Sequence, residues 1–146
     1  MHRERVSAIE LMSNVPESYA GAPVMPKRPA MDAPESEKQA FQTALAEFNQ
    51  KTKEWRTTVS MDKFIELRKM YNKAGVDIHI VKFSPENWSD EEIDYAFRAA
   101  KAMGAKGVST EIGDKSAQKL KILLPRNTVC TTSCIIMVSL VSGMEF

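Results

Sequence analysis

From residue 60 onwards, segments with a helical rhythm alternate with short runs of β-branched residues, and this alternation leaves the chain few folds to adopt. Ser60 opens residues 61–73, where Phe64, Ile65, Leu67, Met70 and Tyr71 recur at the period of a helix, and Gly75 stands where a left-handed terminal residue belongs. Residues 76–83 (VDIHIVKF) come next as a strand rich in β-branched side chains. Ser84, Pro85 and Asn87 make a turn. Ser89-Asp90-Glu91-Glu92 then spells a capping box, in which the serine oxygen accepts the Glu92 amide and the Glu92 carboxylate reaches back. Ile93, Ala96, Phe97, Ala100 and Met103 form the apolar stripe of the helix that Gly104 ends. Residues 106–112 (KGVSTEI) are the next strand, and Asp114 begins another helix that runs to Leu120. Upstream, residues 6–12 (VSAIELM) are the first strand. Strands and helices in alternation imply a parallel sheet with right-handed crossovers, so the fold class is α/β.

Between the first strand and this regular part, residues 13–34 change texture. Pro16, Pro23, Pro26, Pro29 and Pro34 remove amide donors and fix φ, which predicts an extended loop that either closes over a ligand or is an insertion. Residues 35–57 are polar, with Phe41, Leu45, Phe48 and Trp55 mostly on one helical face, and read as an amphipathic helix covering a loop or a barrel end.

Composition excludes several classes. The chain is 43% hydrophobic and 27% charged with a formal net charge of +1, as an ordinary globular domain is. That balance speaks against nucleic acid, which needs a concentrated basic face. Cys130 and Cys134 make neither a disulfide framework nor a zinc site. The charged start Met1-His2-Arg3-Glu4-Arg5 lacks the long apolar run of a secretory signal, because the apolar stretch after it is short and is broken by Glu10. The apolar run 134–141 falls far short of the roughly 20 residues of a membrane span. No membrane role is expected, and the chain reads as soluble and cytoplasmic by default. There is no Gly-x-Gly-x-x-Gly after a strand and no Gly-Lys-Ser/Thr phosphate loop.

The chemistry-bearing candidates are polar residues towards the carboxyl ends of the three strands: Glu10, Lys82 and Glu111. In a (β/α) barrel that end holds the active site, so the three read as substrate contacts; loop ion pairs or helix caps are the competing reading. His79 falls inside a strand, where a core or helix-facing histidine is the commoner case. Trp55 and Trp88 read as packing residues rather than stacking platforms for a ligand.

The segments SAIELM (7–12), KAGVDIHIVKF (73–83) and SDEEIDYAFRAAKAMGAKGVSTEIG (89–113) resemble the xylose isomerase-like barrel superfamily, and within it the sugar phosphate isomerase/epimerase group. The likeness spans roughly residues 6–120. It implies a partial (β/α)8 TIM barrel over residues 1–120, with the three strands standing as the second, third and fourth. The first strand is then missing or upstream, and strands five to eight have no counterpart. In that family the metal ligands and acid/base carboxylates come mostly from the later strands. The resemblance therefore implies a sugar or sugar phosphate as ligand and a divalent metal in intact relatives. It implies no metal bound by this chain, and no activity for it alone. Two other functions compete: a complete small α/β protein that binds a ligand or partner without chemistry, and a half-barrel that self-associates through its open sheet edge.

After Leu120 the texture changes again. Residues 121–146 (KILLPRNTVCTTSCIIMVSLVSGMEF) hold both cysteines, lack a helical rhythm, and place Pro125 where the helix should continue. Synonymous codons for Lys121 onward can be chosen so that a shifted frame reads Asp-Phe-Ala-Ala-Ala-Lys-His-Gly-Met-Tyr and then Asn-Val-Val-His-His-Asn-Gly-Gln-Pro-Gly. That reading resembles the family's own continuation: the end of a helix, a glycine, and a strand ending in His and Asn. Only the first base of each shifted codon is free to choose, so residues 121–146 read as a frameshifted, non-native tail. Within it, the uncharged β-prone run 134–141 is the segment most disposed to pair with the open edge or to aggregate.

Overall fold

The three β-branched runs become neighbours in one parallel sheet, in chain order. In the computed structural model, which describes residues 7–85, 87–111 and 135–139, the strands are β1 (Ala8–Met12), β2 (Asp77–Lys82), β3 (Gly107–Glu111) and β4 (Ile135–Ser139). The helices are α1 (Asn14–Tyr19), α2 (Glu35–Thr58), α3 (Asp62–Lys73) and α4 (Asp90–Ala102). The sheet order is β1-β2-β3-β4 and every adjacent pair is parallel. The expected helix from Asp114 to Leu120, both cysteines, and residues 121–134 and 140–146 of the expected tail lie outside the described residues. Ile135–Ser139 does pair with β3, in register from Gly107↔Ile135 to Glu111↔Ser139, as the edge-pairing expectation for this run requires.

Helices α3 and α4 pack on the same face of the sheet. Phe64 and Leu67 of α3 meet Tyr95, Ala96, Ala99, Ala100 and Met103 of α4, and both sets close over Leu11, Ile78, Val81, Phe83 and Val108 in one buried cluster. Three alanines in the α4 stripe keep that face low, so the helix can lie close to the strands while Tyr95 and Met103 fill the space at either end. The capping box forms as the sequence spells it: the Glu92 amide donates to Ser89 Oγ at 3.4 Å and the Ser89 amide donates to Glu92 Oε2 at 2.9 Å.

The opposite face of the sheet differs. Parallel register pairs Glu10 with Ile80, Met12 with Lys82, and Lys82 with Ser109, so these residues share one face. Ala8, Glu10 and Met12 are exposed there, and no described helix covers them. A parallel sheet usually has both faces covered; among the described residues this one is covered on a single face.

Two local details depart from expectation. Pro16 sits in the first turn of α1, where a missing amide removes no intrahelical bond, so the proline-rich stretch opens with a short helix rather than extended chain. His79 is not a core residue; it lines a cleft beside Arg68 and Asn72 of α3, in a strand that is not regular there. The pairing of β1 with β2 shifts from Ile9↔Ile78 to Glu10↔Ile80, which leaves His79 as the extra residue of a β-bulge, exposed to solvent. The bulge explains why Ile78 and Val81 both face the core although strict alternation would separate them.

Helix ends supply a first prediction. Gly75 and Gly104 both have positive φ, 79° and 73°, but a Cβ on Gly75 would meet nothing within 4 Å, whereas one on Gly104 would lie 2.5 Å from Arg68 Nε. Gly75→Ala should cost about 1 kcal/mol from backbone strain alone, and Gly104→Ala about the same, because the exposed end of the Arg68 side chain can swing clear. Urea denaturation of the two variants checks this, and a loss at Gly104 several times that at Gly75 would contradict it.

Candidate functional site

Two groups of residues gather towards the carboxyl ends of the strands. The first is on the uncovered face. Glu10 lies at the middle of β1, not at its end, and its carboxylate accepts a hydrogen bond from the Ser109 hydroxyl across the face of β2. Lys82, half-buried, is the last residue of β2 and pairs in register with Ser109. Glu111 is the last residue of β3; its side chain lies outside the described set, and with it the expected convergence of the Glu10 and Glu111 carboxylates. Ser109 was absent from the sequence-based candidates. Its place two residues before the end of a strand, in phase with the expected polar face, was the available signal.

The second group was not legible in advance. Beyond β1 and β2, residues of α1, α2 and the turn before α4 enclose a cleft of about 590 Å³. Arg56 of α2 is one of its lining residues. Its Nε donates to Glu17 Oε1 and its Nη1 to Glu92 Oε1, each at 3.1 Å, and its guanidinium carbon stands 3.8 Å from the centroid of the Trp88 ring. The Arg56, Glu17 and Glu92 side chains are only 14%, 13% and 8% exposed, so the pairs are shielded from water and from salt. The Tyr95 hydroxyl donates to the same Glu17 oxygen at 3.3 Å. Burial first, and the Glu17 charge second, push that hydroxyl well above the usual phenol range. Tyr95 therefore stays a neutral donor.

This cluster ties α1 and α2 to the amino-terminal turn of α4, and the Glu92 carboxylate serves both as helix cap and as ion-pair partner. Arg56 is thereby committed to two carboxylates and is not a free anion receptor. Among the described residues the polar side chains on the cleft wall outside this cluster include Asn49, Lys53, Ser84 and Asn87, beside the half-buried Trp88. Amides, a hydroxyl and an ammonium around an aromatic edge suit a ligand with several hydroxyl groups. They do not compose a nucleophile with its base.

A divalent metal, implied by the family resemblance, does not fit the described residues. Among them no group of three or more His, Cys, Asp or Glu side chains converges, and the Glu10 carboxylate is taken up by Ser109. No described helix is long and apolar enough to cross a membrane. Comparisons with protein-family models, curated proteins and solved structures find no match to this chain.

Proposed function

We propose that the chain is part of a sugar phosphate isomerase/epimerase-like (β/α)8 barrel, supplying strands two to four of the wall that faces the sugar, and that it is inactive alone. The observation that carries this reading is the winding of the sheet. Strands succeed one another in chain order, α3 and α4 stay on one face, and the other face bears Glu10, Lys82 and Ser109. A doubly wound sheet reverses its strand order and covers both faces, whereas a barrel keeps adding strands in one direction with its helices outside. In this reading Glu10, Lys82 and Glu111 contact a sugar or sugar phosphate, and the groups that complete the chemistry belong to later strands. Residues 121–146 stand in their place as the frameshifted product.

The test compares two proteins. The purified chain should show no aldose–ketose isomerisation or epimerisation with magnesium or manganese. A protein made from the gene with the shifted frame restored at codon 121 should turn over and lose activity to a chelator. Chelator-sensitive turnover by the present chain would refute the proposal.

A second reading, a non-catalytic α/β protein that binds a small ligand, is favoured by the cleft, whose lining comes entirely from elements within this chain. Its signature is saturable sugar binding by the present chain, abolished by Asn87→Ala and unaffected by Glu10→Gln.

A further inference from the structure

At the amino ends of the strands, opposite to both of these groups, a second cleft of about 470 Å³ brings together Arg68 of α3, His79 of β2 and Lys106 just before β3. The β-bulge frees His79 from the alternation of its strand, and its carbonyl accepts the Lys106 amide at 2.8 Å, which holds the two residues side by side. Gly104 leaves the room that the Arg68 guanidinium occupies. A Cβ there would stand 2.5–2.9 Å from three atoms of the Arg68 guanidinium group, so only glycine lets that group lie against the loop. Among the described residues the one carboxylate in the lining is Asp77, and the Asn72 amide, oriented to satisfy its neighbours, donates to its Oδ1 at 3.1 Å. No described residue forms a hydrogen bond or ion pair with the side chains of Arg68, His79 or Lys106.

A guanidinium group, an ammonium group and an imidazole from three elements thus line one space, and among the described residues they outnumber its one carboxylate, Asp77. Like charges gathered without partners repel, and an anion relieves that repulsion while accepting their donors. A phosphate group matches best: guanidinium bonds its oxygens in pairs, and the ammonium adds a point charge. We propose that this cleft binds the phosphate group of a small phosphate monoester. The site is separate from the sugar-facing end and does not depend on the barrel reading.

The chain has two histidines, so the imidazole resonances report the site directly, with His2 as internal reference and His2→Gln giving the assignment. Inorganic phosphate, titrated at constant pH and ionic strength, should move the His79 resonance along a saturating curve. Arg68→Gln and Lys106→Gln should each raise the half-saturation concentration at least about tenfold. Arg68→Lys should fall between, having kept the charge and lost the fork, and Lys27→Gln in the distant loop should change nothing. Thermal melts confirm that each variant is folded. A response that does not saturate, that chloride reproduces, or that survives loss of Arg68 and Lys106 would overturn the proposal.

Discussion

Replacing Arg56 by methionine should cost about 3–5 kcal/mol of stability, the penalty for removing one partner of a buried charge cluster. Methionine keeps most of the side-chain volume, so the loss is electrostatic: Glu17 and Glu92 would face each other, shielded from solvent, with no cation between them. Total stabilities of about 5–15 kcal/mol make this a large fraction of what such a domain has. Urea denaturation followed by tryptophan fluorescence reads it directly, because Trp88 lies against the guanidinium group. Adding Glu17→Gln to Arg56→Met should restore part of the loss, since the repulsion then disappears. Lys51→Met, which breaks a pair whose side chains are 68% and 65% exposed, should change stability by no more than about 0.5 kcal/mol. An Arg56→Met loss as small as that of Lys51→Met would mean that the cluster is not shielded as described.

Tyr95→Ala should be as damaging, at about 3–5 kcal/mol. The ring is fully buried, with Trp55, Phe64, Phe83 and Trp88 at centroid distances of 5.8, 6.0, 6.2 and 6.4 Å, and no neighbour can fill a cavity of that shape. Tyr95→Phe keeps the packing and should lose only about 0.5–1.5 kcal/mol near neutral pH, for the bond to Glu17. The two proteins should diverge in alkali. In the unfolded chain the phenol releases its proton above about pH 10, whereas the folded protein, with its hydroxyl pushed higher, retains it. The folded state then binds more protons than the unfolded one, so stability falls as pH rises past 10, by up to about 1.4 kcal/mol per pH unit. Tyr95→Phe lacks this slope. Parallel stability curves for the two proteins between pH 9 and 11 would contradict the assigned environment.

What the sequence disclosed and what it hid divide along chain distance. The strands Ala8–Met12, Asp77–Lys82 and Gly107–Glu111 were readable because β-branched runs bounded by turn residues are local signals, and their parallel order was implied by the helices between them. The Ser89–Glu92 cap was readable for the same reason, its partners being three residues apart. Arg56 was not. Its two carboxylates lie 39 and 36 residues away, one in the proline-rich stretch and one in α4, and nothing around Arg56 marks it. The bulge at His79 escaped notice because VDIHIVKF alternates well enough to pass for a regular strand; only the pairing with β1 exposes the extra residue. Of the expected site, Glu10 and Lys82 do lie on one face, a consequence of register, while the contact between Glu10 and Ser109 spans 99 residues and needed the sheet to be seen.

The barrel proposal stands or falls on what belongs after β3. Its most direct test is the nucleotide sequence from codon 121 onward. Read in the shifted frame, it should encode Asp-Phe-Ala-Ala-Ala-Lys-His-Gly-Met-Tyr-Asn-Val-Val-His-His-Asn and remain open through four further strand–helix units. Codons whose shifted reading departs from that series, or meets a stop within it, would contradict the barrel proposal and return residues 121–146 to the native fold.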